Sequence, residues 1–252
     1  MPNSPAVCGP LSSFSRVRIL HLVQTRSHRT IGELCEATGL HANTVREHLQ
    51  RLIEGGYVIP SVERRTTRGR PRTLYTAATG APDASSPVAR EKVTAAARRG
   101  DLMRRLLRTE ESALGREATY QLDALVEHLE ESGFEPVVDE RELTVELTPC
   151  PHAASQPVHR PVLCQVHLGL MQGVLAEARG PLMAAGVREA ARPEECTVQL
   201  ATAPLDIVSP DVMTPGGAMP EAVASGAVTS DGVPSPPDGA GERRRRVAVP
   251  AA

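Results

Sequence analysis

Three cysteines and a histidine in the second half of the chain are the residues best suited to chemistry: Cys150, Cys164, His167 and Cys196, spaced C-x13-C-x2-H-x28-C. Thiolates and a neutral imidazole are soft donors, and four of them suit one metal centre. Cys164 and His167 are three residues apart, so a helix presents both on one face. The set fits a tetrahedral structural Zn²⁺, and it fits an iron–sulfur cluster, where a nitrogen ligand in place of one thiolate raises the potential. Cysteines serving as small buried hydrophobes are the plain alternative. Cys8 lies in a polar N-terminal stretch, and Cys35 beside Leu34 is expected to pack in a core. No G-x-S-x-G or H-E-x-x-H motif is present, and the pattern points away from an enzyme.

The elements that must position this set are legible in outline. Pro149 and Pro151 flank Cys150 and stiffen its backbone where a strand should end. Residues 161–179 read as a helix carrying Cys164 and His167, with Val166, Leu170 and Val174 as its buried stripe. A loop containing Pro193 follows, and Cys196 opens a strand over residues 197–200. Upstream, residues 135–139 and 142–147 alternate as a β-hairpin with Val137, Leu143, Val145 and Leu147 apolar. Residues 87–108 and 117–132 read as helices, the second with Leu122, Leu125, Val126 and Leu129 on one face and Gly133 at its end. Part of this middle region is expected to dimerise the chain.

The first eighty residues have a different character. Val17, Leu20 and Val23 recur at helical spacing. Thr30 and Glu33 form a capping box ahead of a short helix that buries Ile31 and Leu34, and Gly39 ends it. After Leu40 and His41, residues 42–54 form a helix with Val45, Leu49, Leu52 and Ile53 inward and Asn43, Thr44, Arg46, Glu47 and Gln50 on the other face. Two β-prone runs then flank an arginine-rich loop with Arg64, Arg65, Arg68, Arg70 and Arg72, the pattern of a wing. Helix, turn, helix and wing place one helix in a major groove, with the wing arginines on the backbone or in a minor groove. A winged helix used as a protein-docking module is the competing reading.

Charge agrees with the first reading. Residues 1–80 hold 11 of the 28 basic and 5 of the 30 acidic residues, a net +6 in a chain of net −2. A basic front on an acidic remainder implies a polyanion partner for the front alone. Lys92 is the only lysine and there is no Trp, so the cores must be aliphatic. The first thirteen residues lack a basic n-region and an apolar h-region, and no apolar run is long enough to span a bilayer. The sequence thus predicts a cytoplasmic protein with no membrane partner, where thiols stay reduced.

The run from Ile31 to Tyr75, with T-V-R-E-H-L at residues 44–49 and R-G-R-P at 68–71, resembles winged helix-turn-helix regulators of the ArsR type. The pattern C-P-x12-C-x2-H-x-G-L from Cys150, with Cys196 before a strand, is similar to the C-terminal half of SufR-like iron–sulfur regulators. That resemblance covers about residues 13–203. It implies that Cys150, Cys164 and Cys196 are thiolate ligands of a cluster (4Fe-4S or 2Fe-2S) whose state changes operator binding. Some relatives offer four cysteines here, so the fourth position falls to His167, another side chain or solvent. Relatives commonly carry an aromatic residue where this chain has His152, which makes His152 a second-choice ligand.

The expectation is an α+β protein. Residues 1–12 and 204–252 should be disordered, the tail being rich in Pro, Gly, Ala and Ser with a basic cluster at residues 243–246. Residues 13–80 should be a winged helix-turn-helix domain, 81–116 a linker and dimerisation helix, and 117–203 a helical and β-hairpin sensor domain with the ligand set. The function expected is a homodimeric repressor reading a pseudo-palindromic double-stranded operator, with Arg46 on a guanine, Asn43 on an adenine and His41 near a phosphate. Two alternatives stand beside it. One is a regulator with structural zinc that senses another ligand. The other is a cluster-carrying protein that docks a partner through its winged helix.

Overall fold

The computed structural model describes residues 13–64, 71–107, 112, 114–150, 155–189 and 195–202. Helix α1 (Phe14–Thr25) buries Val17, Ile19, Leu20 and Val23. Helix α2 (Ile31–Thr38) opens on the expected capping box: Glu33 N–H donates to Thr30 Oγ1, and Thr30 N–H donates to Glu33 Oε2 at 2.7 Å. Gly39 closes it at φ +72°, a left-handed conformation that costs a glycine nothing. Helix α3 (Ala42–Glu54) buries Val45, Leu49 and Leu52 against α1 and α2. Strands β1 (Val58–Val62) and β2 (Thr73–Ala77) pair antiparallel as the wing's stem. An isolated bridge joins Arg29 to Tyr75 and ties the stem to the segment before α2.

Helix α4 (Pro87–Leu107) lies against helix α5 (Arg116–Glu131). Three cross-helix ion pairs bind them: Lys92–Glu131 and Arg99–Glu127, each at 2.8 Å, and Arg104–Asp123 at 2.7 Å. Strands β3 (Glu135–Asp139) and β4 (Thr144–Thr148) form the expected hairpin. A 3-10 turn over Pro157–His159 leads into helix α6 (Arg160–Ala178).

Strand β5 (Leu182–Glu189) lies in the stretch the sequence reads as loop. It forms because β6 (Cys196–Thr202) offers it a full antiparallel edge from Leu182↔Thr202 to Glu189↔Cys196. The sheet order is β3-β4-β6-β5. Helices α5 and α6 supply the apolar cover: Leu122, Leu125, Leu129, Met171 and Leu175 meet Val145, Leu147, Leu182, Val198 and Leu200.

Helix α6 has two buried faces. Of the expected stripe, Val166 and Leu170 are joined by Leu163 in the core of the helix-turn-helix with Val17, Leu20 and Leu49, while Val174 is only half-buried. Met171 and Leu175 belong to the core under the sheet. The same helix therefore completes both cores. Its C-terminal half closes on the segment that links β2 to α4. A Cβ on Gly80 would come within 2.4 Å of Glu177 N, and one on Gly173 within 2.9 Å of Ala78 O, so only glycines permit this approach.

His128 on α5 is surrounded by Lys92 of α4, Tyr57 after α3, Glu177 of α6, and Glu127 and Glu131 of its own helix. Burial, assisted by Lys92, pushes its pKa down to about 4. The unfolded chain binds a proton at this imidazole below pH ~6.5, whereas the native chain does not until about pH 4. Stability should therefore be complete above pH 6.5 and fall between pH 6.5 and 4, by up to roughly 3 kcal/mol. Urea denaturation of wild type and His128→Gln at pH 7 and pH 4.5 checks this. A wild-type loss no larger than that of the variant refutes it.

Candidate functional site

The outward face of α3 is built from a cap and a set of local pairs. His41 Nδ1 accepts from Asn43 N–H at 3.3 Å and starts the helix. Arg46 donates to Asn43 Oδ1 at 2.8 Å, Arg51 pairs with Glu47 at 2.8 Å, and Gln50 donates to Glu54 at 2.9 Å. Asn43, Arg46, Glu47 and Gln50 are exposed, and Thr44 is half-buried. The face holds both donors and acceptors, prearranged by i,i+3 and i,i+4 contacts. Behind it, burial and then Arg16 push the pKa of His48 down, so this imidazole is neutral near pH 7. Arg64 and Arg72 are exposed on the two sides of the wing. Arg65, Arg68 and Arg70 lie outside the described residues.

The cysteines and the histidine meet at one end of the four-stranded sheet. Cys150 lies two residues beyond β4, and Cys196 opens β6 opposite Leu147 of β4. Cys164 and His167 come from the first half of α6. All four line one cavity of about 40 Å³, whose walls include Phe134, Leu147, Leu163, Met171 and Val187. The His167 ring meets Phe134 edge-on at 5.3 Å. Arg160 and Glu195 line the same cavity, and the sequence reading did not single them out. No disulfide joins Cys35, Cys150, Cys164 or Cys196.

Among the described residues, no three Cys, His, Asp or Glu side chains stand close enough to hold a metal ion together. Three thiols and an imidazole are of a kind that can ligate a soft metal, but their side chains would have to draw closer together to do so. His152, Cys8 and residues 243–246 lie outside the described residues. Cys35 packs at the edge of the helix-turn-helix core, as expected.

Residues 14–59 match the family of bacterial regulatory proteins, arsR family. No curated protein is significantly similar to the chain. The match spans α1, α2, α3 and the start of β1, the part whose capping box, turn and polar outer face have just been described. It supports a DNA-binding helix-turn-helix region over these residues and points to a transcriptional regulator. No described helix is long and apolar enough to cross a membrane.

One residue that joins α6 to the sheet leaves only a faint mark in the sequence. Gln121 is buried in α5, where its Nε2 donates to Leu175 O at 2.8 Å and Leu182 O at 2.9 Å, and its Oε1 accepts from Leu182 N–H at 2.7 Å. It pins the end of α6 to the start of β5. A lone Gln in an apolar helical face is the only hint of this in the sequence. Gln121→Met should strand the Leu182 amide and cost about 2–3 kcal/mol, lowering the midpoint of thermal unfolding by roughly 4–12 °C. A shift under about 1 °C in a calorimetric scan contradicts this role.

Proposed function

We propose that the protein is a homodimeric, sequence-specific repressor whose affinity for a pseudo-palindromic operator is set by an iron–sulfur centre at Cys150, Cys164 and Cys196. His167 stands as the fourth ligand. One observation carries this reading: four soft donors line a single cavity on a helix whose other face completes the core of the DNA-reading unit. The resemblance of the Cys150–Cys196 region to SufR-like regulators favours a cluster. When bound, such a centre supplies a redox-active, oxidant-labile group.

The chain's own residues account for the coupling. Cys150 and Cys196, at the ends of β4 and β6, and Cys164 and His167, on the first half of α6, would hold the centre. Leu163, between the pair on α6 and the helix-turn-helix, would couple that half to the core, as would Val166, whose carbonyl accepts from Gln24 of α1 at 3.3 Å. A hundredfold change in DNA affinity requires about 2.7 kcal/mol of difference between states. Exposed leucines on α4, Leu102 at 52 %, Leu106 at 67 % and Leu107 at 60 %, support a second copy packing there. Arg46 and Asn43 read bases, Thr44, Glu47 and Gln50 complete the groove-facing set, and His41, Arg64, Arg65, Arg68, Arg70 and Arg72 hold phosphates.

Structural zinc is the second reading, since three thiolates and one imidazole also make a tetrahedral zinc set. Protein purified without oxygen should show broad visible absorption with stoichiometric iron and sulfide, and Cys164→Ser should lose it. A colourless protein with one zinc per chain selects the second reading, and a metal-free wild type sinks both.

Binding to DNA is tested separately. Arg46→Ala should weaken binding to a duplex selected from a random library by about 1–3 kcal/mol and relax one base preference. Arg72→Ala should weaken all duplexes alike and lower the salt slope by about one. Fluorescence anisotropy across a salt series measures both, and an unchanged Arg46→Ala removes that residue from the interface.

A further inference from the structure

Glu47 puts a carboxylate at the centre of the outward face of α3. It follows Asn43 by four residues and precedes Gln50 by three, so the three side chains form one stripe. The Glu47 side chain is 62 % exposed. A carboxylate brought up to a polyphosphate is repelled, which is unfavourable unless a base donates to it.

Two arginines hold this carboxylate from the protein side. Arg51, one turn further along α3, donates to Oε1 at 2.8 Å. Oε2 has no hydrogen-bond partner among the described residues. Arg16 of α1 is only 6 % exposed. Burial, and then Arg51, push the Arg16 pKa down while Glu47 pushes it up, so these three charges face one another between α1 and α3. Both guanidinium charges offset the repulsion that phosphates exert on Glu47.

Two groups on the base edges of the major groove donate hydrogen bonds, the N4 amine of cytosine and the N6 amine of adenine. On adenine the donor sits beside the N7 acceptor, which repels a carboxylate and suits an amide. Cytosine carries its donor with no acceptor of its own beside it.

We propose that Glu47 determines specificity, its Oε2 accepting from the N4 amine of a cytosine while Arg51 holds Oε1. The inference rests on the DNA-reading role proposed above and fixes one base of the operator. It does not depend on what the cysteines bind.

The test is selection of the full chain, and of Glu47→Gln and Arg51→Gln, on a random duplex library. Fluorescence anisotropy on the selected duplex and its single-base variants then measures each preference. Replacing one C·G pair should weaken wild-type binding about tenfold or more. Glu47→Gln should lose that preference, keep the others, and bind unrelated duplexes more tightly, since a negative charge has left the interface. Arg51→Gln should lower the preference at the same pair and at no other. A Glu47→Gln chain with every wild-type base preference intact overturns the assignment, even if it binds all duplexes more tightly. A preference lost at an A·T pair instead also overturns it. A wild type that selects no sequence overturns the DNA-reading role together with this inference.

Discussion

Helix α6 is buried on two sides, and most of the described structure depends on that. Leu163, Val166 and Leu170 finish the core of the helix-turn-helix, and Met171 and Leu175 finish the core under the sheet. Neither core closes without it. The stacking of Phe14 of α1 on His159, with ring centroids 3.7 Å apart, fixes the start of the helix against the same unit. Gln121 fixes its other end against β5. A helix clamped at both ends cannot respond to a local change at Cys164 by bending freely, because packed interiors transmit displacement.

The electrostatics are arranged around this packing. The ion pairs between α4 and α5 are partly exposed, and Lys92–Glu131 and Arg99–Glu127 contribute little to stability individually. Arg104 differs, since its guanidinium grips both oxygens of Asp123 at 2.7 and 2.9 Å and also reaches Asp101. Hydrogen bonds that Arg104 donates to Asp123, and then to Asp101, hold it firmly charged despite partial burial. A Cβ on Gly100 would meet the Asp123 carboxylate at 2.3 Å, so this pairing requires the close helix approach that a glycine allows. The ion pairs set the register of α4 on α5, because Ala96 is the one buried residue that α4 brings to the contact.

Much of the N-terminal unit was legible because its signals are local. The Thr30–Glu33 box, Gly39 and the 3.6-residue spacing of Val45, Leu49 and Leu52 each act within a few residues. Strand β5 was not legible. Leu182, Met183, Ala184 and Ala185 are good helix formers, and only the edge of β6 and a bulge between Ala184 and Gly186 make them a strand. The second buried face of α6 was hidden for a related reason. Its apolar residues run almost all round, so periodicity marks one stripe but cannot divide two neighbours. The convergence of Cys150, Cys164, His167 and Cys196 was readable as residue types and not as geometry, since sheet register brings positions 150 and 196 together.

Helix α6 crosses α1 at Gly169, where a Cβ would come within 2.7 Å of the end of the Gln24 side chain. Gln24 donates from Nε2 to Val166 O at 3.3 Å, three residues earlier in α6. Val17 and Leu20 of α1 share one core with Leu163 and Val166 of α6 and with Leu49 of α3. Because packed interiors transmit displacement, a movement of the first half of α6 would be felt at α3 through that shared core.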